Sequence, residues 1–189
     1  MKYFLRSAIA AIVAMASPDA EAAVTVLGNG AAHSCFESAE FGGNPTDGIA
    51  VCNFAIEQAT LSVKDRAATY INRGILRARN EDREGALADY DRGLQINAAI
   101  AEGYVDRGTV MIALRRYDDA IADIDKGISL GTNRPQIAYY DRGIADEALG
   151  NVRAAYTDYK KAAEIQPDFS LATEQLSRFR VVRRAADGS

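Results

Sequence analysis

Tyr70-Ile71-Asn72-Arg73-Gly74, Tyr104-Val105-Asp106-Arg107-Gly108 and Tyr139-Tyr140-Asp141-Arg142-Gly143 share one layout, and their glycines stand 34 and then 35 residues apart. Twelve residues after each glycine comes an alanine: Ala86, Ala120 and Ala155. Four further on stands a large group (Tyr90, Ile124 or Tyr159), and three beyond that a small one (Gly93, Gly127 or Ala162). Pro167 closes the third unit. Self-similarity at this period marks a stack of small units, each unable to bury its apolar face alone. Tyrosine and glycine four residues apart share one face of a helix. A mid-helix glycine costs about 1 kcal/mol of propensity, which is offset if it lets a second helix approach. The stripe Ala86, Tyr90, Gly93 supplies that second helix with small, large and small groups in turn. Asn80-Glu81-Asp82 and Leu149-Gly150-Asn151 read as the breaks between the two helices of a pair.

The period and the Tyr, Gly, Ala, Tyr and Pro positions resemble the tetratricopeptide repeat family over residues 67–169. The resemblance implies an all-α fold: a right-handed superhelical stack of antiparallel helix pairs. Three full repeats are expected, with a degenerate pair before them and a capping helix after them. Two features depart from the family pattern. Arginine (Arg73, Arg107 and Arg142) precedes each glycine where the family often has leucine, and the third repeat arrives one residue late, within Gly131-Thr132-Asn133-Arg134-Pro135. Asp89, Asp123 and Asp158 stand sixteen residues after those arginines. Ion pairs Arg73–Asp89, Arg107–Asp123 and Arg142–Asp158 are expected to join the two helices of each repeat. Recurrence in every unit argues for structure, since a catalytic group is needed once.

The flanks extend the stack. Gly48-Ile49, Cys52 and Ala55-Ile56 echo Ala86-Leu87, Tyr90 and Gly93-Leu94. Residues 31–66 are thus read as the degenerate pair, with Gly42-Gly43-Asn44-Pro45 as its turn. Leu171, Leu176 and Phe179 make an apolar stripe on a capping helix over 170–184, and residues 185–189 are expected to fray. Lys2 and Arg6, the apolar run Ala8–Ala16 and Ala20-Glu21-Ala22 have the pattern of a secretory signal peptide over 1–22. The mature chain then begins at Ala23, with 23–30 as its leading segment, in the periplasm of a Gram-negative bacterium or outside the cell. In an oxidising space the default for Cys35 and Cys52 is a disulfide, with free thiols, metal binding and redox chemistry as the alternatives.

The 189 residues carry 25% charged and 48% hydrophobic side chains, a net charge of −4 and a pI of about 5.1. That balance belongs to a folded protein and counts against nucleic-acid binding. Arg178, Arg180, Arg183 and Arg184 form a local basic cluster, read as a solvated face. The sequence has one histidine, His33, and no GxSxG, HExxH, P-loop or GxGxxG motif, so an enzyme such as a cell-envelope hydrolase is disfavoured and no cofactor or metal is expected.

The family resemblance implies a protein-interaction scaffold whose concave wall, built from the first helix of each pair, holds a partner. Carried onto this chain, that wall is Ile71, Ile75 and Arg79, then Glu102, Val105, Thr109 and Ile112, then Ile137, Tyr140, Ile144 and Glu147. It reads as mostly apolar, suited to an amphipathic helix or an extended apolar segment. The cationic and asparagine clamp with which chaperone-binding relatives grip a C-terminal carboxylate is missing. The alternatives are a structural subunit or homodimer, or a wall covered by residues 23–30 or by the C-terminal helix.

Overall fold

The computed structural model describes residues 2–5, 23–25, 30–58 and 60–182. Along them run β1 (Lys2–Leu5), α1 (Ala31–Phe41), α2 (Pro45–Gln58), α3 (Val63–Arg79), α4 (Arg83–Ile96), α5 (Ala101–Ala113), α6 (Tyr117–Ser129), α7 (Pro135–Ala148), α8 (Val152–Ile165), α9 (Ser170–Ser177) and β2 (Phe179–Val182). Helices α1 to α8 are four antiparallel pairs. Each pair packs against the next, and the first helices touch in succession: α1 on α3, α3 on α5, α5 on α7. That row of contacts makes the odd-numbered helices the inner layer of the curved stack. Among the described residues, no helix is long and apolar enough to cross a membrane.

Local chemistry sets the helix ends. The Ser62 hydroxyl accepts the Asp65 N–H and donates to the Asp65 carboxylate, so one serine starts α3 and fixes its first turn. Asp82 accepts the Gly85 N–H at the start of α4. Pro45 and Pro135 open α2 and α7, where a missing N–H costs nothing. The turns between the paired helices use a left-handed residue at one equivalent place: Glu81 (φ 61°), Arg115 (φ 59°) and Gly150 (φ 80°). Only the third repeat has the residue that adopts this conformation without strain.

The paired helices close on glycine. A Cβ placed on Gly74 would lie 2.7 Å from Tyr90 Cε1, and one on Gly143 would lie 2.8 Å from Tyr159 Cε1. Tyr90, Tyr159 and Ile124 are the large side chains at the centre of this packing, and all are buried. Two large apolar clusters result. One runs from Cys35, Cys52 and Ala23 through Tyr90 to Val110, and the other from Val105 through Tyr159 to Ala172. A disulfide joins Cys35 on α1 to Cys52 on α2, stapling the first pair.

The chain ends differ from the sequence expectation. The helix expected over 170–184 stops at Ser177, and Phe179–Val182 form a strand antiparallel to Lys2–Leu5. Phe179, Val181 and Val182 favour a strand once the helix has ended. Of the expected signal peptide, residues 2–5 form that ribbon and residues 6–22 lie outside the described residues, as does the tail 185–189. In the segment 23–30, residues 26–29 also lie outside them.

The turn geometry carries a measurable consequence. Gly150→Arg is expected to cost about 1 kcal/mol, the penalty of a left-handed side-chain-bearing residue. Arg115→Gly, at the equivalent place, is expected to leave stability unchanged or raised. Urea midpoints at constant m read both, and a neutral Gly150→Arg beside a destabilised Arg115→Gly would contradict the assignment.

Candidate functional site on the inner helices

The arginine that replaces leucine before each glycine is a clip between repeats. Arg73 Nε and Nη2 donate to the two Asp89 oxygens at 2.8 and 2.6 Å, while Nη1 donates to Asn53 Oδ1 on α2 at 2.7 Å. Arg107 holds Asp123 at 2.6 and 2.8 Å and reaches back to Asp91 on α4 at 2.6 Å. Arg142 holds Asp158 in the same way and reaches back to Asp125 on α6. Each guanidinium also lies over the ring of the tyrosine three residues before it, 5.2 to 5.5 Å from the centroid. The backward acceptors Asn53, Asp91 and Asp125 occupy one equivalent position. In the last pair that position is Lys160, whose side chain is exposed. Carboxylates on both sides hold the guanidinium groups of Arg107 and Arg142 more firmly protonated than usual. Pairs this sheltered fix register more than they add net stability.

The wall expected from the family pattern is not an open one. Ile71, Ile75, Val105, Thr109, Ile112, Ile137, Tyr140, Ile144 and Glu147 are all buried, and only Arg79 and Glu102 are partly exposed. The inner helices touch each other directly, so these side chains fill the seams between repeats. Ile71 inserts where Gly93 and Gly103 leave room, and Val105 does the same at Gly127. Tyr140 packs edge-on against Phe169, 5.3 Å between centroids. Glu147 is sealed by the chain end: Arg178 Nη2 donates to it at 2.6 Å and the Tyr159 hydroxyl at 3.0 Å. Arg178 is therefore part of the cap and not of a solvated basic face. The two partly exposed members also have work within the fold. Arg79 Nη1 donates to the Ala39 carbonyl at the end of α1, and Glu102 accepts the Asn133 N–H.

One residue of the inner layer binds main chain. Asn72 Oδ1 accepts the Val24 N–H at 2.6 Å, and Asn72 Nδ2 donates to the Val24 carbonyl at 2.8 Å. Asn72 is fully buried under this segment, Ala23 is buried beside it, and Thr25 is exposed as the chain leaves. Asn72 was not singled out from the sequence. A signal was present: the third position of each quoted motif is polar (Asn72, Asp106, Asp141) on an otherwise apolar inner side, and all three are buried. In the third repeat Asp141 accepts from the Thr109 hydroxyl at 2.7 Å. Among the described residues, no group of histidine, cysteine and carboxylates is placed to hold a metal ion. His33 stands at the surface, 3.6 Å from Glu37.

Asp141 also makes stability depend on pH. Burial pushes its carboxyl up to about 6, against the opposing pull of the Thr109 hydroxyl and Arg134. An exposed aspartate titrates near ~3.9. Between those values the folded chain keeps a proton that the unfolded chain releases, so this group weakens the fold as pH rises from roughly 4 to 6. Asp141→Asn is expected to stabilise the protein by about 2–3 kcal/mol at pH 7.5 and to make no difference near pH 4. Urea unfolding at the two pH values checks this, and a destabilised variant at pH 7.5 would show that the ionised carboxylate is needed.

Comparison with known proteins places this geometry. Residues 137–169 match the family model for the tetratricopeptide repeat. No curated protein matches the chain. Among solved structures, the Arabidopsis OM64 TPR domain is similar at 21% identity and a TM-score of 0.59, over 62% of this chain and 96% of that one. The first TPR of Spaghetti (RPAP3), bound to the HSP90 peptide SRMEEVD, is 22% identical with a TM-score of 0.58, over 60% and 90% of the two chains. MamA from Desulfovibrio magneticus RS-1 is 16% identical with a TM-score of 0.64, over 80% and 84%. The unit at residues 137–169 is similar in sequence to a tetratricopeptide repeat, and the array of helix pairs to which it belongs has the tetratricopeptide repeat fold.

Proposed function

We propose that this chain is a non-catalytic interaction module of the bacterial cell envelope, which holds a segment of a partner protein against its inner helices. One observation carries the reading: the inner layer already grips a piece of polypeptide, with Val24 held through both main-chain groups by Asn72. The fold supports it, since two similar structures, TPR domains of RPAP3, are complexes with the peptides SRMEEVD and SGPTIEEVD. Those peptides end in acidic residues. Here Glu147 is already paired with Arg178 and Asp141 with the Thr109 hydroxyl, so neither position offers a cation to an acidic C-terminus. The chemistry present supports a binding role over catalysis. The recurring carboxylates are committed to arginines in every repeat.

Export belongs to the same proposal. The pattern of residues 1–22 and the Cys35–Cys52 disulfide both suit an oxidising compartment. With β1 removed by cleavage, β2 would lose its strand partner, while the helical array would keep its own contacts.

A photoreactive side chain tests the reading, placed at Thr25 beside the inner helices or at Lys160 on the exposed side of α8. In envelope extract, adducts are expected at position 25 and not at 160, on a bait whose intact mass begins at Ala23. Equal labelling at both sites, or labelling at 160 alone, would move the interaction to another face. A bait that retains residues 2–5 would contradict cleavage.

A further inference from the structure

We infer that the slot at Asn72 reads main chain, that its ligand is a non-helical partner segment with a small residue before a β-branched one, and that residues 23–25 are a tethered plug which this segment displaces. The inference rests on the interaction reading above and narrows it.

The slot asks for an N–H and a C=O from one residue, and Val24 supplies them at 2.6 and 2.8 Å. Inside an α-helix both groups are already committed to partners four residues away. A helical ligand therefore cannot satisfy Asn72, whereas a chain in extended form can. The neighbouring side chains add selectivity. Ala23 is buried in the first apolar cluster, where a larger group would have to displace its neighbours. Val24 packs against the same cluster and against the smaller one around Ala32 and Ala68.

The slot is confined to one repeat. At the equivalent positions stand Asp106 and Asp141. An ionised carboxylate only accepts, so it cannot answer a ligand carbonyl as the Asn72 amide does. Asp141 is moreover engaged by Thr109.

The plug is close at hand. Only five residues, 26–30, separate it from the start of α1. So short a tether gives it a local concentration of roughly millimolar or above. A free segment of equal intrinsic affinity must overcome that concentration to enter. Weakening the plug without touching the slot should then strengthen binding, the opposite of what a purely structural contact would do.

The probe is the acetylated, amidated tetrapeptide with the sequence of residues 23–26, isotope-labelled and followed by NMR at its own main-chain amides. Val24→Pro removes the N–H that Asn72 Oδ1 accepts and leaves the slot intact. It is expected to bind the probe about tenfold more tightly than the unmodified chain, the effect of one hydrogen bond lost from the competitor. Adding Asn72→Asp to Val24→Pro is expected to lose that gain at least tenfold. Asn72→Leu, with the same branched skeleton as asparagine and no polar group, serves as a second test if the aspartate variant melts early. Equal affinity of Val24→Pro and the unmodified chain, or full binding after loss of Asn72, overturns the inference. If position 25 cross-links a partner while these variants do not differ, the interaction reading stands and the plug is wrong. If the variants behave as expected and no partner cross-links, the slot stands and the partner-holding role fails.

Discussion

Each of the three full repeats depends on one close contact: a glycine of the first helix against a large side chain of the second. Gly74 meets Tyr90, Gly108 meets Ile124 and Gly143 meets Tyr159, each at a distance that would place an added Cβ inside 3 Å. No other residue permits that spacing without displacing the ring or branch behind it. The spacing brings the next side chain along, because the arginine before the glycine then reaches the aspartate on the facing helix with two parallel bonds. Its third nitrogen is left pointing at the previous repeat. Glycine thus sets the pair, and arginine links pair to pair. A slip in register would strand a guanidinium and its facing carboxylate in sheltered surroundings, a cost of several kcal/mol. Such a network serves uniqueness of assembly better than raw stability.

The inner side inherits its character from this rigidity. Ile71 fills the seam to the next inner helix at Gly103, Val105 packs within its own pair at Gly127, and both are buried, so the layer offers little open apolar surface. Polar groups in the third motif position interrupt it: an amide in one repeat and carboxylates in two. The amide can satisfy a strand of main chain in both directions, and the structure has it doing so. At the other end, Glu147, Arg178 and Phe169 close the stack against its own last helix. The main-chain contact at Asn72 thereby lies toward the first repeats, beside the disulfide-stapled pair.

The fold was legible because its information is repeated. Three copies of Tyr-x-x-x-Gly, each answered by Ala, a large group and a small group, define period, helix pairing and the contact between helices without knowledge of distance. The sixteen-residue step from Arg73 to Asp89 is visible for the same reason. The backward acceptors Asn53, Asp91 and Asp125 were not seen, because they lie one repeat away and one of them is an amide. Whether the inner wall is free or covered by the chain itself was not legible. An apolar stripe on a helix looks the same whether it meets solvent, a ligand or the next helix, and here the glycines at 93, 103 and 127 decide for the next helix. Asn72 escaped notice because its partner is main chain, which carries no residue-type signal. The end of α9 at Ser177 was missed because the stripe Leu171, Leu176, Phe179 fits a helix, while Val181 and Val182 beyond it favour a strand.

Amide hydrogen exchange at Val24 in the full chain tests the main-chain slot most directly. If Asn72 holds this residue as described, the Val24 N–H exchanges at least tenfold more slowly than that of Thr25, which lies exposed beside it, and the difference disappears in Asn72→Leu. Equal exchange at Val24 and Thr25 in the unmodified protein, at the rate of unstructured chain, would mean that the inner layer does not grip polypeptide there.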